Sequence, residues 1–172
     1  MKSKIFPIAL FIIFTIVFIV FYLGLKNSNI YTPEKNVEKN IPFFEVKKFA
    51  SKDIINSNQI FNEENYYLLN IWASWCVPCK TEHKYLMNLS KEKNIKIIGL
   101  NYKDTSKNAK IFLNKLDNPY DLILSDQDGI ISIEWGAYGV PESFLIYKNN
   151  IIKKIIGPIN EKKLNEIKGL IK

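Results

Sequence analysis

The run Trp72-Ala73-Ser74-Trp75-Cys76-Val77-Pro78-Cys79 holds both cysteines of this 172-residue chain. They stand two residues apart, directly after an apolar stretch (66–71) and ahead of a helix-like segment. A pair spaced this way closes a small disulfide across the first turn of a helix and opens it again, which moves two electrons by thiol–disulfide exchange. As a staple it would do little, because so short a loop restrains little of the unfolded chain. The pair therefore reads as chemistry rather than scaffolding. Cys76 falls at the expected helix N-terminus, where unpaired N–H groups and the positive end of the dipole stabilise a thiolate, so Cys76 is the expected nucleophile. Cys79 lies one turn inward, within reach to resolve a mixed disulfide. Pro78 removes one N–H from that turn and tunes the thiolate.

Working outward, residues 66–73 form a nearly continuous apolar run, the pattern of a strand covered on both faces. Residues 78–91 read as a helix with Leu86 and Leu89 on one side, and 96–102 as a second buried strand. Ala109, Phe112, Leu113 and Leu116 recur at helical spacing. Residues 43–49, 120–125, 142–147 and 151–156 read as further strands, with a turn at Asp126-Gln127-Asp128-Gly129 and a tight hairpin at Asn149-Asn150, since asparagine tolerates left-handed backbone angles. A last helix carries Leu164, Ile167 and Ile171 on one face, with Glu161 near its start. This alternation predicts an α/β fold: a mixed sheet with helices on both faces.

Residues 5–25 are 21 uncharged residues, flanked by Lys2, Lys4 and Lys26. As a helix they would reach about 31 Å, enough to cross a hydrocarbon core of about 30 Å. A cleaved signal peptide is the rival reading, but the run ends Phe21-Tyr22-Leu23-Gly24-Leu25, too bulky for a good cleavage site. The expectation is one transmembrane signal anchor (5–25) after a cytoplasmic N-terminus (1–4), then a polar tether (26–40) and one domain (41–172). The formal charge is +7, of which five Lys and two Glu in residues 1–40 account for +3. The remainder is spread as single lysines without arginine or basic–aromatic runs, which argues against nucleic-acid binding.

Around the cysteines, Trp75 reads either as a shield for the site or as ordinary core, and Trp72 as core. Glu82 sits three residues past Cys79 on nearly the same helical face. Exposed, it would be a solvated first-turn glutamate; partly buried, it would have a raised pKa and could exchange a proton with Cys79. His83 is the only histidine. Cys76, Cys79 and His83 lack a fourth ligand for a structural zinc site, though thiolates suit Cu(I); no metal and no bound cofactor is expected. Lys80 follows Cys79, so the haem-attachment pattern C-x-x-C-H is absent. Val140-Pro141 suits a turn before a strand, with a cis bond one option.

Three segments together carry a resemblance: residues 68–83 around the cysteines, Gly99-Leu100-Asn101-Tyr102-Lys103-Asp104 with Asn118-Pro119-Tyr120, and Tyr138-Gly139-Val140-Pro141-Glu142-Ser143-Phe144-Leu145-Ile146. The chain resembles thioredoxin-fold proteins, and more narrowly the CcmG/DsbE family, membrane-anchored thiol:disulfide interchange proteins of cytochrome c biogenesis. The likeness implies that Pro141 is a cis-proline facing the disulfide and that Val140 offers backbone hydrogen bonds to an extended substrate. It places Trp75 and Glu142 beside the substrate as well, and turns Glu82 toward a proton-transfer role. Asn70 stands where soluble thioredoxins carry a buried acid, which leaves Glu82 as the nearby proton handler. Val77-Pro78 and Asn70 bear on the redox potential.

The implied activity is thiol:disulfide oxidoreduction on the periplasmic face of a bacterial inner membrane. Apocytochrome c or a protein handling it is the expected client, and a transmembrane thiol reductase the expected electron donor. The rivals are the same chemistry on a copper-centre or envelope protein, a disulfide-forming oxidant, and a Cu(I)- or haem-binding protein without turnover. A peroxidase is disfavoured, because no arginine is present to steady a peroxidatic thiolate.

Overall fold

The computed structural model describes residues 5–26, 39–61 and 65–171. An N-terminal helix and a C-terminal domain form separate units and are taken one at a time. Helix α1 (Ile5–Lys26) is a single 22-residue helix. Its span Phe6–Gly24 is long and apolar enough to cross a membrane, and the side chains along it are uncovered. Within that span the Thr15 hydroxyl donates to the Phe11 carbonyl, which satisfies it without water. Helix α1 is thus a candidate membrane anchor. Most of the segment read as a tether lies outside the described residues.

The domain is built on β4 (Tyr66–Trp72), whose residues are buried along nearly its whole length. It runs parallel to β5 (Ile95–Tyr102) and antiparallel to β7 (Glu142–Tyr147). A strand with a neighbour on each side and a layer on each face is covered on both, which is why residues 66–72 are mostly apolar and show no alternation of apolar and polar side chains. β6 (Leu122–Asp126) continues parallel beyond β5, and β8 (Asn150–Ile156) pairs antiparallel with β7. The short strands β1 (Lys39–Asn40), β2 (Glu45–Lys48) and β3 (Ile54–Asn56) complete an eight-stranded mixed sheet of order β1-β8-β7-β4-β5-β6-β2-β3. Lys39 and Asn40, at the end of the predicted tether, are therefore sheet residues paired with Ile151 and Asn150.

Two cores cover the sheet. On one face Leu68 and Trp72 of β4 pack with α3 (Val77–Leu89), α4 (Ser106–Leu116) and α6 (Glu161–Leu170), and the disulfide belongs to this core. On the other face Tyr67, Leu69 and Ile71 pack with Phe44, Phe61 and Trp135 and with the short helices α2 (Ser57–Ile60) and α5 (Ile130–Glu134). The period of two along β4 therefore places Asn70 on the Cys-bearing face, between Leu68 and Trp72.

Several boundaries move from the sequence reading. The hairpin turn is Lys148-Asn149, with φ of 50° and 60°, because Tyr147 pairs with Asn150; the expected Asn149-Asn150 turn is displaced by one residue. Two successive left-handed residues match the twist of the flanking strands, and Lys148 adopts that geometry without an asparagine. The strand expected over 43–49 shortens to β2, and the one over 120–125 shifts to β6. Strand β3 and helices α2 and α5 had no clear periodic signal. α5 follows the expected turn because Asp126 reaches forward: its carboxylate accepts from the Ile131 and Ser132 amides and the Ser132 hydroxyl.

Gly99 of β5 is a packing requirement. A Cβ there would lie 2.8 Å from Tyr120 Cγ and 2.9 Å from Trp72 Nε1, both parts of stiff rings stacked on one another at 5.4 Å. Gly99→Ala is expected to cost about 1–3 kcal/mol, the usual penalty for overpacking a core. Urea titration of both proteins would show it as a lower midpoint with an unchanged slope.

Candidate active site

Cys76 and Cys79 are joined by a disulfide with Cα atoms 5.3 Å apart. Cys76 is the N-cap of α3, and its Sγ accepts from the Cys79 amide at 3.1 Å. Pro78 has no N–H to offer at that position of the first turn, so the Cys79 amide is the donor that meets the sulfur. A thiolate on Cys76 keeps that donor and the field of the helix end. Cys76 and Cys79 are both buried, whereas Val77 and Pro78 between them are exposed.

The loop that delivers Cys76 is bolted to the turn after β5. Asp104 accepts from the Ser74 amide at 2.6 Å, the Ser74 hydroxyl at 2.9 Å, the Asn101 amide group at 3.1 Å and the Thr105 amide at 2.8 Å. The indole N–H of Trp75 donates to the Lys103 carbonyl at 3.1 Å, and Lys103 itself is held at φ 44°. Trp75 is therefore fixed in direction while 56% exposed. It forms part of the surface beside the disulfide, whereas Trp72 is core, stacked on Tyr120 and tilted against Phe112.

Glu82 is fully enclosed. Its Oε1 accepts from Asn70 Nδ2 at 3.0 Å and its Oε2 from the Ile159 amide at 2.7 Å. Asn70 is oriented by two more partners: its Nδ2 also donates to Ser143 Oγ at 3.0 Å, and its Oδ1 accepts from Tyr120 OH at 2.9 Å. Burial favours the neutral acid, while the two donors and the charge of Lys163 favour the carboxylate. Burial is the larger effect and raises the Glu82 pKa to about 7. The same enclosure, with the Glu82 charge adding to it, pushes the Tyr120 hydroxyl well above its ordinary value. Lys163 hydrogen-bonds the Ile156, Gly157 and Pro158 carbonyls, which fixes the loop that presents the Ile159 amide.

The Val140–Pro141 peptide bond is cis. Ile71 pairs with Glu142, so Val140 and Pro141 lie at the same end of the sheet as the loop leading from Trp72 to Cys76. Val140 also packs against the core that contains the two cysteines. Glu142 faces inward: Oε1 accepts from the Tyr138 and Gly139 amides at 2.8 and 3.2 Å, and Oε2 lies 3.0 Å from Lys154 Nζ. Lys154 in turn donates to the Gly136 carbonyl and sits 4.4 Å from the centre of the Tyr138 ring. The Glu142 carboxylate is thus occupied in shaping the proline loop. His83 has Nε2 2.9 Å from the Asp117 carbonyl and its ring edge-on to Phe112.

Asn70 is hydrogen-bonded to Glu82, one helical turn past Cys79, and Val140 of the proline loop packs on the core that holds the disulfide. Asp104, Tyr120, Ser143, Lys154 and Lys163 were not assigned roles. Asp104, Tyr120 and Ser143 lie in segments that carried the resemblance, whereas Lys154 and Lys163 gave no signal among the many lysines.

Residues 37–171 match the Redoxin family. The thiol:disulfide interchange protein DsbE of Vibrio cholerae is 41% identical over 131 residues, 76% of this chain and 70% of that protein. The DsbE of Haemophilus influenzae is 37% identical over 167 residues, 94% of this chain and 91% of its own. The chain belongs to the DsbE family. A crystal structure described as a putative DsbE of Chlorobium tepidum superposes with a TM-score of 0.66 at 20% identity, covering 81% of this chain and 99% of that one, and shows the thioredoxin-like fold. As a DsbE-family member the chain is a thiol:disulfide oxidoreductase, and Cys76–Cys79 is its cysteine pair.

Proposed function

We propose that this chain is a reductant of apocytochrome c, held by α1 on the periplasmic face of a bacterial inner membrane. The observation that carries the reading is Glu82: an enclosed carboxyl with a pKa near 7, one helical turn from Cys79. A reductant must release its client, and release requires the buried resolving thiol to lose a proton.

The Cys76 thiolate attacks the client disulfide. One client sulfur bonds to Cys76 and the other leaves as a thiolate. Cys79 then passes its proton to Glu82 and attacks the Cys76 sulfur, closing the Cys76–Cys79 bond and expelling the second client sulfur. The client has gained two electrons, and solvent and Glu82 supply its protons. A transmembrane thiol reductase resets the pair with two electrons. Asn70 holds Glu82, Val77 and Pro78 tune the pair, and Val140 and Pro141 bind the extended client beside Trp75. Glu142 keeps the proline loop in shape. The reduced cysteines of a C-x-x-C-H client are then free to accept haem.

The test is the reduction potential of the detergent-solubilised full chain, followed by its rate on an oxidised C-x-x-C-H peptide. A potential near about −200 mV or more negative supports a reductant, and one near about −120 mV overturns the assigned direction. Equal rates on C-x-x-C-H and unrelated disulfide peptides would point to another client.

A further inference from the structure

A second feature adjoins the disulfide. A groove of about 380 Å³ runs between the start of α3 and α4, lined by Trp75, Ile111, Phe112, Leu116, Lys80 and Lys115. Trp75 is the residue before Cys76, and Lys80 the residue after Cys79, so residues on both sides of the cysteine pair line the groove. Its walls are fixed in advance. Trp75 is tied to the Lys103 carbonyl, and Phe112 is held between Trp72 at 5.3 Å and His83 at 5.4 Å. Ile111 presents an apolar side chain that is 57% exposed and has no core role. Among the described residues, neither Lys80 nor Lys115 forms an ion pair.

We infer that this groove is a docking subsite for the polypeptide flanking the attacked cysteine, and that its occupant carries an apolar side chain followed by a carboxylate. The apolar side chain covers Ile111, Leu116 and the face of Trp75, while the carboxylate meets Lys80 and Lys115. A preformed apolar wall lowers the ordering cost of docking, and two cations without internal partners supply charge complementarity. The inference rests on exchange at Cys76 and holds whether or not the client is an apocytochrome.

The experiment uses the reduced full chain in detergent and four peptides, each a mixed disulfide of one cysteine with 2-mercaptoethanol. Their sequences are Glu-Leu-Cys-Leu-Glu, Lys-Leu-Cys-Leu-Lys, Glu-Gly-Cys-Gly-Glu and Lys-Gly-Cys-Gly-Lys. Each rate is divided by the same protein's rate on bis(2-hydroxyethyl) disulfide, so that intrinsic reactivity cancels. The expected result is a preference of about 3- to 10-fold for leucine over glycine, and of similar size for glutamate over lysine, the latter fading with salt. Ile111→Ser should remove the leucine preference and leave the charge preference. Lys115→Glu should reverse the charge preference and leave that for leucine. Ratios that are flat in the parent, or identical in parent and variants, would overturn the groove while leaving exchange intact. Failure to reduce the small disulfide would instead overturn the redox reading, and the groove with it.

Discussion

Cys76→Ser lowers the rate of disulfide reduction by at least about 10³-fold, while Cys79→Ser leaves the first attack intact and stops the second. The difference follows from position. Cys76 caps α3 with its sulfur on the Cys79 amide, so it is the sulfur that the helix end stabilises as a thiolate. Serine there places a weak hydroxyl nucleophile in the same field and cannot form the mixed disulfide. Cys79 lies inside the first turn and is as buried as Cys76. Without it the client remains bonded to Cys76 until an outside thiol releases it. Mass spectrometry after incubation with an oxidised peptide checks both arms: a stable adduct with Cys79→Ser and none with Cys76→Ser. An adduct on Cys79 in the Cys76→Ser protein would reverse the assigned roles.

Glu82→Gln should flatten two pH dependences at once. Glu82 has a pKa of about 7 in the folded protein because burial opposes its charge, against an ordinary value of 4.5. The folded state therefore holds a proton that the unfolded chain has already lost. This contribution to stability is complete below about pH 4.5 and is lost as pH rises through about 7. At about 1.4 kcal/mol per unit, the wild type gives up about 3 kcal/mol across that window. The glutamine variant lacks this loss, so the gap between the two proteins in urea titrations should change by that amount between pH 4.5 and pH 8. Resolution of the mixed disulfide should respond in the same window. In the wild type it speeds up through about pH 7, as Glu82 becomes able to accept the Cys79 proton. In the variant that inflection disappears, and the rate follows only the thiol's own ionisation. A variant with the wild-type rate profile would leave Glu82 a structural residue, even if the stability effect were present.

Asn70 and Glu82 show how far the sequence could be read. The position of Asn70 in the buried strand and of Glu82 one turn past Cys79 follow from periods of 2 and 3.6. That Asn70 points its amide group rather than its oxygen at Glu82 does not. It depends on Tyr120 OH occupying the other end of the amide, and Tyr120 reaches it only because Gly99 leaves room for the ring. Glu142 is similar. Its place after Pro141 was legible, but its enclosure between two loop amides and Lys154 arises from the pairing of β7 with β8. The displaced Lys148-Asn149 turn and the missed strand β3 are local failures of another kind, since short edge elements are stabilised by their neighbours more than by their own residues.

By itself, the sequence determined the anchor-like helix, the strand–helix junction that puts Cys76 at a helix N-terminus, and the mixed α/β order. These depend on apolar length, periodicity and the geometry of a single turn, all short-range quantities written into adjacent residues. Tertiary structure alone decided that Glu82 is an enclosed carboxyl with a raised pKa rather than a solvated first-turn glutamate, and that Trp75 stands exposed. Both depend on which distant segments exclude water. The Ile159 loop and the Asn70 side chain close over Glu82, and desolvation has no local signature.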